Sequence, residues 1–249
     1  MKKLSFGISC YNFENYIEQC VISVMSQKTN FDFDIIIRDD CSTDGTRDVL
    51  RSIQEKYTGR EIKILLGDEN VGTNENVRLL LSECNGEYIA LLDGDDYLIT
   101  DDKLQRQVDF LDQNTDFVLH CTSYRYTDIN DKLITPEGFW LSPTLDEVTL
   151  ENLLDQNYIS FGRLFRNQKI VQRLSDAEYY NGFKYDDWAL NFEILKNGKA
   201  KCDKEWVTGH YRITGTGVIT SNSEEDIYTI NEVCRQKLLT EYHRYKELY

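Results

Sequence analysis

Leu4, Phe6 and Ile8 alternate with smaller or polar residues, and Tyr16, Ile17, Cys20, Val21, Val24 and Met25 then recur at helical spacing. The pattern predicts a strand leading into a helix, and it repeats. Residues 34–38 form an apolar run ahead of a helix carrying Val49, Leu50, Ile53 and Tyr57, and residues 62–66 precede a helix with Val77, Leu80, Leu81 and Cys84. A fourth run, Tyr88 to Leu92, closes this stretch. Apolar strands separated by helical patterns of about 10–15 residues are the signature of βαβ units and a parallel sheet covered on both faces. A helix around Leu104, Val108 and Leu111 and a strand over residues 117–121 extend the pattern.

After Cys121 the regularity fades. The two prolines, Pro136 and Pro143, flank a loop containing Phe139 and Trp140, ahead of a short helix at residues 150–154. A helix over residues 189–195 follows Asp186-Asp187, and Ile227, Ile230, Val233, Leu238, Tyr242 and Tyr245 mark a long amphipathic helix at the C-terminus. This half reads as loops and helices laid on the sheet. The expectation is one continuous α/β domain: a front half over residues 1–120, a variable second half over 121–222 and a C-terminal helix over 223–249.

Composition narrows the function. A chain of 249 residues with 41% apolar content buries a sizeable core, and no stretch approaches the roughly 18 consecutive apolar residues of a membrane span. Met1-Lys2-Lys3 runs straight into strand pattern with no signal-peptide core, so a cytoplasmic protein is expected. Seven scattered cysteines, none in a C-x-x-C pair, argue against a disulfide framework or a zinc knuckle. The net charge of −15 makes nucleic acid an unsuitable partner, because binding it requires a basic face.

Three acidic groups remain as candidate chemistry. Asp93-Gly94-Asp95-Asp96 ends the run Tyr88–Leu92, and carboxylates gathered at a strand end repel one another unless a hard divalent cation joins them. The plainer alternative is a solvated acidic turn. Asp39-Asp40-Cys41-Ser42-Thr43-Asp44-Gly45-Thr46 ends the second strand, with Thr43 or Asp44 suited to cap the next helix. Neither group is an EF-hand loop, since the twelfth positions are Arg51 and Leu104 where a glutamate is required. Asp186-Asp187-Trp188 suits either a helix N-terminus or a general base. His120, His210 and His243 have no metal-ligand spacing, and no nucleophilic triad is visible.

Together these groups resemble the inverting family 2 glycosyltransferases of the GT-A fold. Ile8-Ser9-Cys10-Tyr11-Asn12 is similar to that family's first strand and turn, Arg38 to Thr46 to its D-D-x-S-x-D-G-T segment, Asn70-Val71-Gly72 to its N-x-G turn, and Asp93-Gly94-Asp95-Asp96 to its Asp-x-Asp motif. The resemblance implies a mostly parallel, Rossmann-like sheet and a UDP-sugar donor. Ser9, Tyr11 and Asp39 would then contact the base, with Asp39 accepting from the uracil N3 donor, and Arg78 would approach the base or diphosphate. Asp93 would meet the ribose or the metal shell, Asp95 and Asp96 would hold Mn²⁺ or Mg²⁺, and Asp187 would be the catalytic base.

Two departures stand out. Asp186 occupies the place of a glutamate, and Tyr211-Arg212-Ile213-Thr214 lacks the histidine of the family's Y-R-x-H, which puts a third metal contact from that loop in doubt. The expected acceptor is a saccharide or a lipid-linked saccharide in surface polysaccharide synthesis, the latter met at the inner face of the membrane. A non-catalytic sugar-nucleotide-binding protein of the same fold is the alternative. Phe139, Trp140, Phe161 and Trp188 are the aromatic residues that would serve as sugar platforms if they are not core. The apolar stripe of the C-terminal helix calls for cover by the chain's own second half, by a homodimer partner, or by peripheral membrane contact.

Overall fold

In the computed structural model β1 (Leu4–Cys10) runs through the middle of a sheet, and alternate residues of its neighbours serve two separate cores. The structure describes residues 2–135, 144–159, 161–180, 183–215 and 223–248. The chain continues through α1 (Ile17–Met25), β2 (Phe33–Asp39), α2 (Thr46–Lys56), β3 (Ile62–Leu66), α3 (Thr73–Glu83) and β4 (Tyr88–Asp93). Next come β5 (Tyr97–Leu98), α4 (Lys103–Gln113) and β6 (Phe117–Thr127). Ile35 and Ile37 pack with Leu50, Ile53, Val21 and Val108 on one face, while Ile36 packs with Val77 and Leu80 on the other. Strands buried on both faces read as near-continuous apolar runs, which is why the front half is legible in the sequence.

The second half adds β7 (Leu133–Ile134), β8 (Glu147–Val148), a 3-10 turn at Asn152–Leu154, β9 (Leu164–Arg166), α5 (Ile170–Asp176), a second 3-10 turn at Glu178–Tyr180, α6 (Asp186–Leu195), β10 (Lys199–Arg212) and α7 (Glu224–Leu248). The main path of the sheet is β3-β2-β1-β4-β9-β6-β10-β5, with β7 on β6 and β8 on β10. Pairing is parallel from β3 to β4 and again between β6 and β10, and β9 is antiparallel to both its neighbours.

The second half is therefore more than loops and helices laid on the sheet. β6 runs well past residue 121, and β10, which the pattern did not predict, spans Lys199 to Arg212. Its first half, Lys-Ala-Lys-Cys-Asp-Lys-Glu, is mostly charged, and register shifts around Asp203, Val207 and Gly209 break the period-two alternation that would have revealed it. The helix at residues 189–195 begins earlier, at Asp186, and only Asn152–Leu154 of the segment 150–154 is helical.

α7 buries Cys234 and Leu238 in the core formed by α3, α5 and α6, with Ile230, Tyr242 and Tyr245 packed against it. The Tyr245 hydroxyl donates to the Lys196 carbonyl at 2.9 Å and that of Tyr242 to Glu151 at 2.9 Å. The chain's own second half thus covers most of this apolar stripe, leaving Val233 exposed. Among the described residues no helix is long and apolar enough to cross a membrane.

Candidate active site

Chain order reverses between β1 and β4, since β2 and β3 lie on one side of β1 and β4 on the other. Open α/β sheets bind ligands beyond the carboxyl ends of their strands at such a switch point. Ser9 is in register with Asp93 and with Arg38, and Cys10 with Asp39, so three sequence-predicted residues, Ser9, Asp39 and Asp93, share that edge. Gly94 turns across the end of β1: its N–H donates to the Ser9 carbonyl at 2.8 Å, and a Cβ there would lie 2.9 Å from Ile17 and 3.1 Å from Phe13 and from that carbonyl. The glycine of Asp93-Gly94-Asp95-Asp96 is required by this close approach.

Much of the Asp39–Thr46 segment fastens the loop after β1. Asn12 N–H donates to the Ser42 hydroxyl at 2.8 Å, Thr43 N–H to Asn12 Oδ1 at 2.8 Å and Phe13 N–H to the Thr46 hydroxyl at 2.8 Å. Gly45, rather than Thr43 or Asp44, is the N-cap of α2, and Asp44 accepts from Thr46 N–H at 3.0 Å. Asp40 accepts from the N–H groups of Val71 and Gly72, each at 2.9 Å, which ties down the turn before α3 where Gly72 has φ +83°.

Asp39 is fully buried. Its carboxylate accepts from Ser42 N–H at 3.1 Å, from the Ser42 hydroxyl and from Arg47 Nε at 2.8 Å. Tyr11 is exposed, and the Ser9 hydroxyl accepts from Asn76 Nδ2 at 3.2 Å. Arg78 is turned elsewhere, bound through Nε to Glu75 at 2.7 Å and through Nη1 to Ser175 of α5 at 3.4 Å.

The acidic motif is held from β10. Asp96 Oδ1 accepts from the Arg212 backbone N–H at 2.9 Å, and the Asp95 carbonyl accepts from Arg212 Nη1 at 2.5 Å. The Arg212 guanidinium stacks on Tyr16 and Tyr97. The Tyr-Arg segment singled out in the sequence therefore does meet the acids. Asp96 is buried, Asp95 is half-buried, and Asp93 is reached by solvent while protein surrounds it more widely, as on the floor of a cleft. Burial, then repulsion from Asp95, pushes the Asp93 carboxyl up to about 7 against the opposing pull of Arg163. Burial pushes Asp95 up to about 6, and burial with repulsion from Asp95 and Asp93 raises Asp96 well above the usual range.

Such a cluster is short of positive charge, and its all-oxygen donor set suits a hard divalent cation. Among the described residues no three His, Cys, Asp or Glu side chains converge as a protein-only cage. Mg²⁺-type sites on nucleotides take one or two carboxylates and complete their shell with water and phosphate, so the residues present fit a cation that arrives with a diphosphate.

Asp187 lies in the first turn of α6. Its Oδ1 accepts from Trp188 N–H at 2.8 Å and its Oδ2 from Asn157 Nδ2 at 2.8 Å, with Arg163 Nη1 at 4.0 Å. Burial raises its carboxyl, and Arg163 opposes that rise. Arg163 also pairs through its carbonyl with Leu91, two residues before Asp93, so the fold draws Asp187, some ninety positions along the chain, toward the end of the sheet that carries the acidic motif. The side chain of Asp186 lies outside the described residues, as do Phe139 and Trp140. Trp188 and Phe161 are core: Trp188 donates from Nε1 to the Leu153 carbonyl at 2.8 Å, and Phe161 packs against Tyr124. Arg47, Asn157 and Arg163 escaped the sequence reading. The only trace of Arg163 is a cation just ahead of the apolar pair Leu164-Phe165.

A sheet with this switch point, an acidic motif at its edge and a carboxylate brought in from the second half define a GT-A glycosyltransferase fold. The chain belongs to glycosyl transferase family 2, whose family model matches residues 5–173. An Escherichia coli protein described as UDP-Glc:alpha-D-GlcNAc-diphosphoundecaprenol beta-1,3-glucosyltransferase is 27% identical over 98% of this chain and 90% of its own. Residues 1–349 of Staphylococcus aureus TarS in complex with UDP superpose with TM-score 0.66 at 19% identity, covering 94% of this chain and 65% of that one. A Pyrobaculum calidifontis mannosyltransferase in complex with GDP-Man and Mn²⁺ matches with TM-score 0.66 at 18% identity, over 87% of this chain and 58% of that one. At these identities the two structures establish the fold alone. The chain spans about half the length of the first curated relatives it matches, which it resembles at 31% identity.

Proposed function

We propose that this protein is a metal-dependent inverting glycosyltransferase that moves a sugar from a nucleoside-diphosphate donor, a UDP-sugar, to a hydroxyl of a saccharide or lipid-linked saccharide. The observation that supports the proposal is the path through Arg163, whose carbonyl accepts from Leu91 N–H two residues before Asp93 and whose Nη1 stands 4.0 Å from Asp187, which draws the two acidic centres toward one end of the sheet.

Asp95 and Asp96 hold the cation. When bound with the donor, it supplies positive charge against the departing diphosphate. Ser9 and Tyr11 border the nucleotide, and Asp39 reads uracil once Arg47 releases it. Asp187 accepts the proton of the acceptor hydroxyl as that oxygen bonds to the anomeric carbon. The bond from this carbon to the diphosphate breaks on the opposite side, its electron pair leaves with the phosphate, and the configuration inverts. Burial favours this role, since a raised carboxyl is a better base than a solvated one, provided it is ionised when the acceptor arrives.

The names of the E. coli relative and of the TarS complex support a UDP donor, and the former supports a lipid-linked acceptor. The GDP-Man complex keeps the base open to test. A thermal-shift comparison of UDP-glucose, UDP-N-acetylglucosamine and GDP-mannose, each with and without Mn²⁺, provides that test. A donor at a hundred times its dissociation constant stabilises by about 2.7 kcal/mol. A Mn²⁺-dependent rise with a UDP-sugar is the expected result, a rise confined to GDP-mannose overturns the uracil assignment, and no rise with any of the three overturns the donor class.

A further inference from the structure

Arg163 stands immediately before β9, and its carbonyl accepts from Leu91 N–H at 3.4 Å, two residues short of Asp93 on β4. The backbone pairing thus delivers its side chain to the end of the sheet where the acidic motif lies. That side chain is nearly nine-tenths buried, and its Nη1 is inaccessible to solvent and has no hydrogen-bond partner, although it stands 4.0 Å from Asp187 Oδ2. A guanidinium has five N–H donors and no acceptor, so burying one of them unpaired is costly unless a nearby anion compensates. Asp187 is that anion. Asn157 orients it, and Asn157 is in turn held through its Oδ1 by Asn191 Nδ2 at 3.1 Å, while Asn191 also donates to the Ile159 carbonyl at 2.8 Å. Neutral amides fix the direction of the carboxylate but bring no charge.

We infer that Arg163 is a positioning residue for the transfer, the cation that holds Asp187 ionised and aimed into the cleft so that it is able to take a proton. This rests on the assignment of Asp187 as the base. Among the described residues, the titratable groups that act on Asp187 or sense it are Arg163 ahead of β9, Asp93 at the end of β4, Tyr185 just before α6 and Cys234 on α7. Of these only Arg163 is cationic. Burial and the Asp93 carboxylate both favour a protonated Asp187, and a protonated carboxyl accepts no proton from a sugar hydroxyl. Arg163, 4.0 Å away, opposes that balance, and its charge also favours the ionised form of Asp93, so one guanidinium serves both acids.

The test reads the Asp187 carboxyl directly. Protein labelled with ¹³C at the aspartate side-chain carboxyls is titrated by NMR, and the resonance missing from Asp187→Asn is assigned to Asp187. In Arg163→Met the midpoint of that resonance is expected to rise by at least one pH unit, a tenfold gain in proton affinity, whereas Arg163→Lys stays near the parent. Arg163→Gln, which keeps donors but no charge, replaces the Met variant should the latter not fold, and it should also rise. An unchanged midpoint in the uncharged variants overturns the inference. The titration needs no turnover, so it stands apart from the catalytic assignment, which fails instead if Asp187→Asn remains active.

Discussion

Arg47 donates from Nε to Oδ2 of Asp39 at 2.8 Å, on the carboxylate that the family resemblance assigns to the uracil ring. Asp39 has no exposed surface, and Arg47 also reaches the Gly67 carbonyl, so the arginine ties this carboxylate to the turn after β3. A uracil N3 donor gains access to Asp39 only if this bond yields.

The expected outcome is opposite in sign for the two residues. A hydrogen bond to a charged group contributes about 1.5–3 kcal/mol, so Asp39→Ala should weaken UDP binding by about ten- to a hundredfold. Arg47→Gln removes a competitor and should tighten UDP binding by up to about tenfold. Calorimetry with UDP and Mn²⁺ decides, and a parallel loss in both variants would mean that Arg47 presents Asp39 to the base instead of covering it.

Asp95 and Asp96 share the proposed cation but differ in what else they support. Asp95 is half-buried, whereas Asp96 is buried, accepts from Arg212 N–H at 2.9 Å and anchors β10. Both Asp95→Asn and Asp96→Asn should abolish the Mn²⁺ dependence of UDP affinity. Of the alanine variants, only Asp96→Ala should also lower stability, by about 1–3 kcal/mol, because the Arg212 backbone donor then loses its acceptor. Calorimetry paired with urea unfolding separates the two effects.

A different acid-base feature lies at the start of α4. Lys103 is buried and donates to Gln107 Oε1 at 2.6 Å, and burial pushes its ammonium down to about 7. Its folded value lies below the unfolded one of about 10.4, so the unfolded chain holds more protons between these limits and stability rises with pH through that window. Below pH 7 both states are protonated and the cost of burying the charge is complete. Urea unfolding from pH 6 to 9 should show the parent gaining on Lys103→Met as pH rises, by an amount of the order of a few kcal/mol. A constant difference across that range would mean that Lys103 keeps its ordinary proton affinity.

Leu238 is completely buried where α7 meets the second-half core. Truncating a buried leucine costs about 2–5 kcal/mol, and Leu238→Ala should fall in that range by urea unfolding. Val233, half-exposed on the same helix, should cost less than 1 kcal/mol when replaced by alanine, since surface changes typically stay within about 0.5 kcal/mol. Equal losses at both sites would point to a partner covering the outer face of the helix.

The contrast between what the sequence disclosed and what it hid follows from burial and from contact range. Leu4, Phe6, Ile8 and Ile35 to Ile37 announce strands because both faces of the sheet are covered, and the acids at strand ends stand out against that background. Lys199 to Glu205 announces nothing, because only Ala200 and Cys202 are buried there. Helical position placed Arg78 on a face of α3 but not against its partner, Glu75, one turn away. The neighbours of Asp187, Asn157 and Arg163, are polar residues in a loop and just ahead of a three-residue strand, and they meet it only through the folding of the second half. Such tertiary meetings leave no period in the chain.

The Asp187 carboxylate is the residue on which the proposed chemistry turns. Its place in the first turn of α6 is in part ordinary helix electrostatics, since Trp188 N–H donates to it, and an acid at a helix N-terminus needs no catalytic reason. Two observations go beyond capping. Its second oxygen is oriented by Asn157, itself fixed by the buried Asn191, and its charge acts on Asp93 across the cleft. A positioned general base contributes about 10²–10⁴ in rate, so Asp187→Asn should lower kcat by that factor with donor affinity near the parent value, because the amide keeps the size and the fold but accepts no proton. Asp186→Asn should do less if that residue orients its neighbour. The measurement is single-turnover transfer from the donor found by thermal shift, with donor affinity determined separately by calorimetry. Near-parent turnover in Asp187→Asn would return the residue to helix capping, and a loss of donor binding as severe as that of Asp95→Asn would move it into the metal shell.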